Sequence, residues 1–137
     1  MCDHLYDHAL PLHLVRRPPE AGHMLLAADY DKSGLLDIDD GTKVKTNALD
    51  IGAINKALDD WDCSDTGVMY CTRGLFDGLR EAAKDGEHGL SAGLAKLAAK
   101  GRAHIVDVTG CWWLDVDTAE ARLLAERYLA DRLRSIG

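Results

Sequence analysis

The sequence predicts an α/β fold. Short apolar runs of strand length alternate with amphipathic stretches of helical period from end to end. Two runs carry the strand assignment best: Met24 to Asp29 (MLLAAD), and Thr66 to Cys71 (TGVMYC), which a glycine opens. The helical counterpart is the long stretch from Thr118 to about Arg134.

Taken in order, Met1 to Leu5 reads as the tail of a strand. Asp7 offers a helix N-cap, with Leu10, Leu14 and Val15 on one side and Pro11 in the first turn, where proline is tolerated. Arg16-Arg17-Pro18-Pro19 ends that helix. The strand Met24 to Asp29 follows, and then Tyr30 to Gly41, rich in Asp, Gly and Ser, as a loop or irregular hairpin. Thr42 to Thr46 alternates as a strand, with Leu49 to Gly52 as its partner. After Thr66 to Cys71, Thr72 caps a helix from about Arg73 to Lys84 whose stripe is Leu75, Phe76, Leu79 and Ala83. Gly86 and Gly89 break it. Ser91 caps an Ala-rich helix ending at Lys100-Gly101. Ala103 to Val108 and Cys111 to Leu114 are strands around a Thr109-Gly110 turn, and the last helix turns Leu124, Tyr128 and Leu129 inward.

Composition bounds the function. At 137 residues the chain fits a single domain with a real core. A net charge of −7 argues against nucleic acid as a partner, since such binding needs a basic footprint to displace counterions. No apolar run reaches membrane-spanning length and no signal-peptide layout opens the chain, so a cytoplasmic location is expected. Cys2, Cys63, Cys71 and Cys111 form no close pair, and reduced structural thiols are expected.

Chemistry concentrates at a few junctions. Asp115-Val116-Asp117-Thr118 lies where a strand ends and a helix begins, the usual place for ligands in open α/β sheets. Its two carboxylates suit a hard cation such as Mg²⁺. Asp117, with Glu120 three residues on, is fully explained by a capping box, the favoured reading, whereas the cap leaves Asp115 without a role. Asp3 is an acid at another strand-to-helix junction and could supply the second carboxylate. Asp65-Thr66-Gly67 sets an acid, a hydroxyl and a glycine where a backbone could approach a ligand, or where a turn simply opens a strand. Lys56 could meet a phosphate as a point charge. The Trp112-Trp113 pair reads as packing on opposite faces of a strand, with one indole available to a pocket.

In order, M-C-D-H-L-Y-D, T-K-V, I-G with a nearby K-x-L, W-D-C-S-D-T-G-V and W-W-L-D-V-D-T resemble the sugar-phosphate nucleotidyltransferases, most of all their inositol-1-phosphate cytidylyltransferase-like branch. The resemblance implies a Rossmann-like nucleotide-diphospho-sugar transferase fold, here an N-terminally truncated mixed sheet flanked by helices. Residues 1–137 would form one partial domain, the acceptor-binding half. It further implies Mg²⁺ as cofactor, with Asp3 and Asp115 as its ligands and Asp117 beside them. Lys56 would meet the acceptor phosphate, and Asp65, Thr66 and Gly67 would cradle the acceptor ring. The substrates implied are a nucleoside triphosphate, CTP by branch, and a sugar or inositol phosphate.

Two departures accompany it. The family's Gly-rich triphosphate loop, with the strands that read the base, is not in this sequence, and Met1 falls on a methionine internal to the family pattern. A lysine usually follows I-G directly, whereas this chain reads I-G-A-I-N-K. The isolated chain is therefore expected to be inactive, either as part of a longer enzyme or as a non-catalytic remnant or partner subunit. A homo-oligomer or a missing N-terminal half would cover the exposed sheet edge.

Overall fold

The computed structural model describes residues 3–33 and 41–136, with side chains as far as Arg134. Met1 and Cys2 of the expected first strand, and residues 34–40 of the expected loop, lie outside the described residues. The order is β1 (His4–Tyr6), α1 (Ala9–Val15), β2 (Met24–Asp29), β3 (Lys43–Asn47), β4 (Asp50–Asn55), β5 (Cys63–Cys71), α2 (Gly74–Lys84), α3 (Leu90–Ala98), β6 (Ala103–Asp107), β7 (Trp113–Asp115) and α4 (Ala119–Ile136). The interleaved α/β arrangement is the one the sequence predicts.

β2 is the central strand. It pairs parallel with β6 and antiparallel with β5, so the sheet is mixed. All six of its residues are buried, which is why it reads as an unbroken apolar run. Alternate side chains serve different layers. Met24, Leu26 and Ala28 join Val44, Ile51, Leu75, Leu94 and Ile105 in the larger core, against α2 and α3. Leu25 and Ala27 pack with Leu10 and Leu14 of α1 and with Val108. From β5 the sheet continues to β3 and β4, and a single residue pair, Asp50 with His104, links β4 to β6 and closes the ring of strands. Around that pair runs a polar chain in which His104 faces Asp50 Oδ1 at 2.6 Å and His23 at 2.8 Å, the two imidazoles stacked.

β5 begins at Cys63 rather than Thr66, because Cys63 and Ser64 pair with Val44 and Lys43 of β3. Just before it, the Asp62 carboxylate accepts hydrogen bonds from the Thr46 amide and hydroxyl and from Lys45, which hold its pKa down to about 2. Between Leu26 and Ala28 the register with β5 slips, and the extra β5 residues bulge around Gly67, whose φ of 77° is left-handed.

Several local expectations are corrected. Asp7 does not cap α1; its carboxylate instead accepts a hydrogen bond from Tyr128 at 2.7 Å and pairs with Arg132 at 3.0 Å, while Val15 is exposed. Thr72 does act at the start of α2, its hydroxyl accepting from the Gly74 amide while donating to the His23 carbonyl. The buried face of α2, however, is Gly74, Leu75, Gly78 and Ala82, with Phe76 and Ala83 exposed. Glycine lets the backbones close in: a Cβ at Gly74 would stand 2.0 Å from the Gly22 carbonyl oxygen, and one at Gly78 2.5 Å from that of Gly93. α3 is preceded by Gly89, at φ 100°, and Ser91 makes no cap. In α4 the buried residues are Ala121 and Ala125, Tyr128 is half-buried, and Leu124 and Leu129 are exposed. Cys63, Cys71 and Cys111 are free thiols, and burial pushes the Cys63 thiol up to about 11. No helix among the described residues is long and apolar enough to cross a membrane.

The close α2–α3 approach makes a direct prediction. Gly78→Ala forces one backbone away from the other and lowers stability by about 1–3 kcal/mol, the usual cost of overpacking a filled interior. Urea unfolding measures it; a variant as stable as the parent would show that the two helices separate freely.

Candidate active site

β1 and β7 form a separate two-stranded antiparallel ribbon in which His4 lies opposite Asp115, Leu5 opposite Leu114 and Tyr6 opposite Trp113. Directly opposed residues share a face, so His4 and Asp115 are neighbours. The ribbon extends by one more backbone bond, from the Val116 amide to the Asp3 carbonyl, and the chain bends at Asp3. As a result the Asp3 Oδ1 lies 3.0 Å, and the Asp115 Oδ1 3.6 Å, from the same His4 Nδ1. The hydrogen bond from His4 is the main reason the Asp3 carboxyl is held below the ordinary carboxylate range.

The ribbon is fixed to the central sheet through Asp29, at the end of β2. Its Oδ2 accepts from Trp113 Nε1 at 2.8 Å and its Oδ1 from the Asp31 amide at 2.9 Å. On the other side Trp112 stacks flat on Tyr128 of α4, ring centroids 3.6 Å apart. Both indoles of the Trp pair are half-buried and both line the site.

These elements enclose a cleft of about 1000 Å³. Asp3, His4 and Asp115 stand on one wall, Ser64, Asp65 and Gly67 of β5 on another, and Lys56, just beyond β4, on a third. Arg127 and Tyr128 of α4 also face it. Asp65 accepts from the Gly67 amide at 2.7 Å in the turn that the bulge creates. Burial raises its pKa, and the hydrogen bond from Gly67 and the nearby His4 offset this only in part.

Most of the residues expected from sequence meet here: Asp3, Lys56, Asp65, Gly67, Asp115 and Asp117 all line one cleft. Two need correction. Thr66 points away from it, fully buried, its hydroxyl donating to the Ala27 carbonyl at 2.9 Å, so its side chain supports the bulge rather than a ligand. Asp117 is not the cap of α4; Thr118 is, its hydroxyl accepting from the Ala121 amide. Asp117 lies exposed on the rim, while the group whose ligand atoms fall within 4.8 Å of one another is Asp3, His4 and Asp115. By sequence His4 shares helical spacing with His8, without a zinc motif around them, and reads as a surface or capping imidazole; the structure instead buries its side chain between the two acids. Asp29 escapes a sequence reading, its only local signal being that it closes an apolar strand.

The geometry defines a class before any particular relative. The fold is that of the sugar-phosphate nucleotidyltransferases. It matches the inositol-1-phosphate CTP transferase from T. maritima with a TM-score of 0.73 and 23% identity, over 87% of this chain and 48% of that one. It also matches a glucose-1-phosphate thymidylyltransferase from Bacillus anthracis with a TM-score of 0.71 and 14% identity, over 92% and 51%. In sequence the chain is similar to the bifunctional IPC transferase and DIPP synthase of Aquifex aeolicus, 29% identical over 130 residues, which are 94% of this chain and 28% of the relative. The protein of the same name from Archaeoglobus fulgidus is 33% identical over 94 residues, 69% of this chain and 18% of the relative. No family model matches. The resemblance read from the ordered motifs is thus borne out, and the chain spans under a third of the curated relatives and about half of the solved structures.

Asp65 yields a pH prediction. Because its folded pKa is raised, the native state holds that proton more tightly than the unfolded chain does. Its contribution to stability is therefore lost as pH climbs from the ordinary carboxylate value through the raised one. Asp65→Asn, which keeps the acceptor for Gly67, is more stable than the parent at neutral pH. The difference closes in acid, read as urea midpoints between about pH 3 and 7. An offset constant with pH would contradict the assignment.

Proposed function

We propose that this chain supplies the cation-binding and acceptor-binding half of a nucleotidyltransferase site. The transfer is of a nucleotidyl group, CMP from CTP, to an inositol phosphate or related sugar phosphate. The carrying observation is convergence: Asp3 and Asp115, from opposite ends of the chain, meet across the β1–β7 ribbon in a cleft that also holds Asp65 and Lys56. The similarity to proteins named for inositol-1-phosphate, CTP and IPC transfer supports the choice of substrates.

In this reaction an acceptor phosphate oxygen attacks the α-phosphorus of the triphosphate, the α–β phosphoanhydride P–O bond breaks, and pyrophosphate leaves. The residues present fit a divalent cation, because Asp3 and Asp115 offer hard oxygen donors at one point. A bound Mg²⁺ would offset the negative charge gathered on the phosphates. Such an ion is needed on electrostatic grounds, since the cleft is lined by seven carboxylates, Asp3, Asp29, Asp31, Asp65, Asp115, Asp117 and Glu120, and by itself repels phosphate. Lys56 sets a positive charge on the acceptor side. Asp65, held by the Gly67 amide, accepts hydrogen bonds from ring hydroxyls when ionised. Asp29 positions Trp113, and through it the ribbon. Catalysis of this type is chiefly positioning and electrostatics, so residues 1–137, without the triphosphate loop that the resemblance implies elsewhere, bind but do not turn over.

Calorimetry with CDP-inositol tests the binding half. Binding is expected only when a divalent cation such as Mg²⁺ is added, and Asp115→Ala weakens it by at least roughly tenfold, or 1.4 kcal/mol. A folded chain that binds nothing under any condition would leave the motifs as scaffold. Pyrophosphate release from CTP and inositol phosphate by residues 1–137 alone would refute the division of labour.

A further inference from the structure

The cation-binding reading assigns two carboxylates and leaves His4 without a task. Yet the structure places His4 at the centre of the cluster. Its side chain is only 8% exposed, against 47% for Asp3 and 44% for Asp115, so the imidazole forms the floor of a bowl whose rim is carboxylate. Its Nδ1 faces both Asp3 Oδ1 and Asp115 Oδ1, and one donor atom from each of the three residues lies within 4.8 Å of the others. The placement is built in. Antiparallel pairing fixes His4 opposite Asp115, and the bend at Asp3 turns the neighbouring acid over the ring. A histidine retained for packing alone does not need a ring nitrogen aimed at two acids.

We propose that His4 Nδ1, exchanging its hydrogen bond to Asp3 for the ion with the ring proton carried on Nε2, is a third protein ligand of the ion, and that the site therefore takes a first-row transition dication, Mn²⁺ before Mg²⁺. This deepens the cation-binding reading and rests on it. Mg²⁺ takes oxygen ligands and seldom gives them up for nitrogen, whereas imidazole suits the transition metals. One nitrogen among the donors thus shifts the preference without changing the charge of the site. Mn²⁺ also keeps the octahedral, oxygen-tolerant coordination that phosphate substrates need.

The test uses residues 1–137 with Mn²⁺ as probe and needs no turnover. Electron paramagnetic resonance counts bound Mn²⁺, and pulsed measurements detect ¹⁴N coupling from a coordinated imidazole. The parent is expected to show the ¹⁴N coupling. Asp115→Asn, the control against binding at other histidines, loses the bound ion. His4→Phe, checked for folding by circular dichroism, loses the coupling and also the selectivity for Mn²⁺ over Mg²⁺. Removing even an outer partner of a metal ligand costs roughly 10–100-fold in affinity, so the Mn²⁺ loss is at least of that size. His4→Asn, a smaller polar change, repeats the measurement if the phenylalanine variant does not fold. Mn²⁺ bound through Asp115 but without ¹⁴N coupling would overturn this inference and leave the cation site standing. Mn²⁺ binding absent, or unchanged in Asp115→Asn, would overturn both.

Discussion

The pairing of β1 with β7 is the constraint on which the site depends. Three residue pairs join segments from opposite ends of the chain, so a loop of nearly the full domain is closed by a very short ladder. Such a ribbon is not stable alone. It is held by what surrounds it. Trp113 bonds to Asp29, the Asp7 amide bonds to the Trp112 carbonyl, and Trp112 stacks on Tyr128, whose hydroxyl reaches back to Asp7. The acids at its tip are brought together only because these contacts set the register. A slip of one residue would turn His4 and Asp115 to opposite faces.

Electrostatics shapes the rest of the cleft. The fold gathers carboxylates where β2, β5, β7 and the start of α4 converge, and neutralises few of them internally. Asp65 is half-buried, and its partial removal from water raises its pKa. Asp62, outside the cleft, is by contrast fully paired and held at about 2. The difference separates two uses of one residue type. Asp62 fastens β3 to the entry of β5, while the cleft acids line the proposed cation site.

Much of this was legible in the sequence, and the failures share a physical cause. Strands buried on both faces, such as β2, declare themselves by an unbroken apolar run, and the order of acidic motifs pointed to junctions that the fold brings to one cleft. Helix faces were misread because the reading followed bulk. α2 packs through Gly74 and Gly78, and α4 through Ala121 and Ala125, so the small residues lie inside and Phe76, Leu124 and Leu129 lie outside. Asp7, Asp117 and Thr66 were misassigned for a different reason. Each has a plausible local role, as cap or turn, and in each case a partner distant in sequence, or a neighbour better placed, decided the outcome. His4 reads from sequence as a surface or capping imidazole, and Asp29 has no sequence signal, because the place of each is decided by cross-strand geometry.

The ring of strands has one thin seam. β4 meets β6 in one residue pair, Asp50 with His104, backed by a backbone bond from the Ile105 amide to the Leu49 carbonyl, whereas β2 pairs along most of its length with both of its neighbours. The β3–β4 hairpin is therefore held to β6 by little backbone pairing and to the rest of the domain chiefly by Val44, Ile51 and Ile54 in the larger core, and local opening of so lightly bonded an edge is cheaper than opening the centre. Lys56 follows directly on that hairpin and lines the same cleft as the acids. Any local opening of that seam would therefore move Lys56 before it moved the ribbon that carries Asp3 and Asp115.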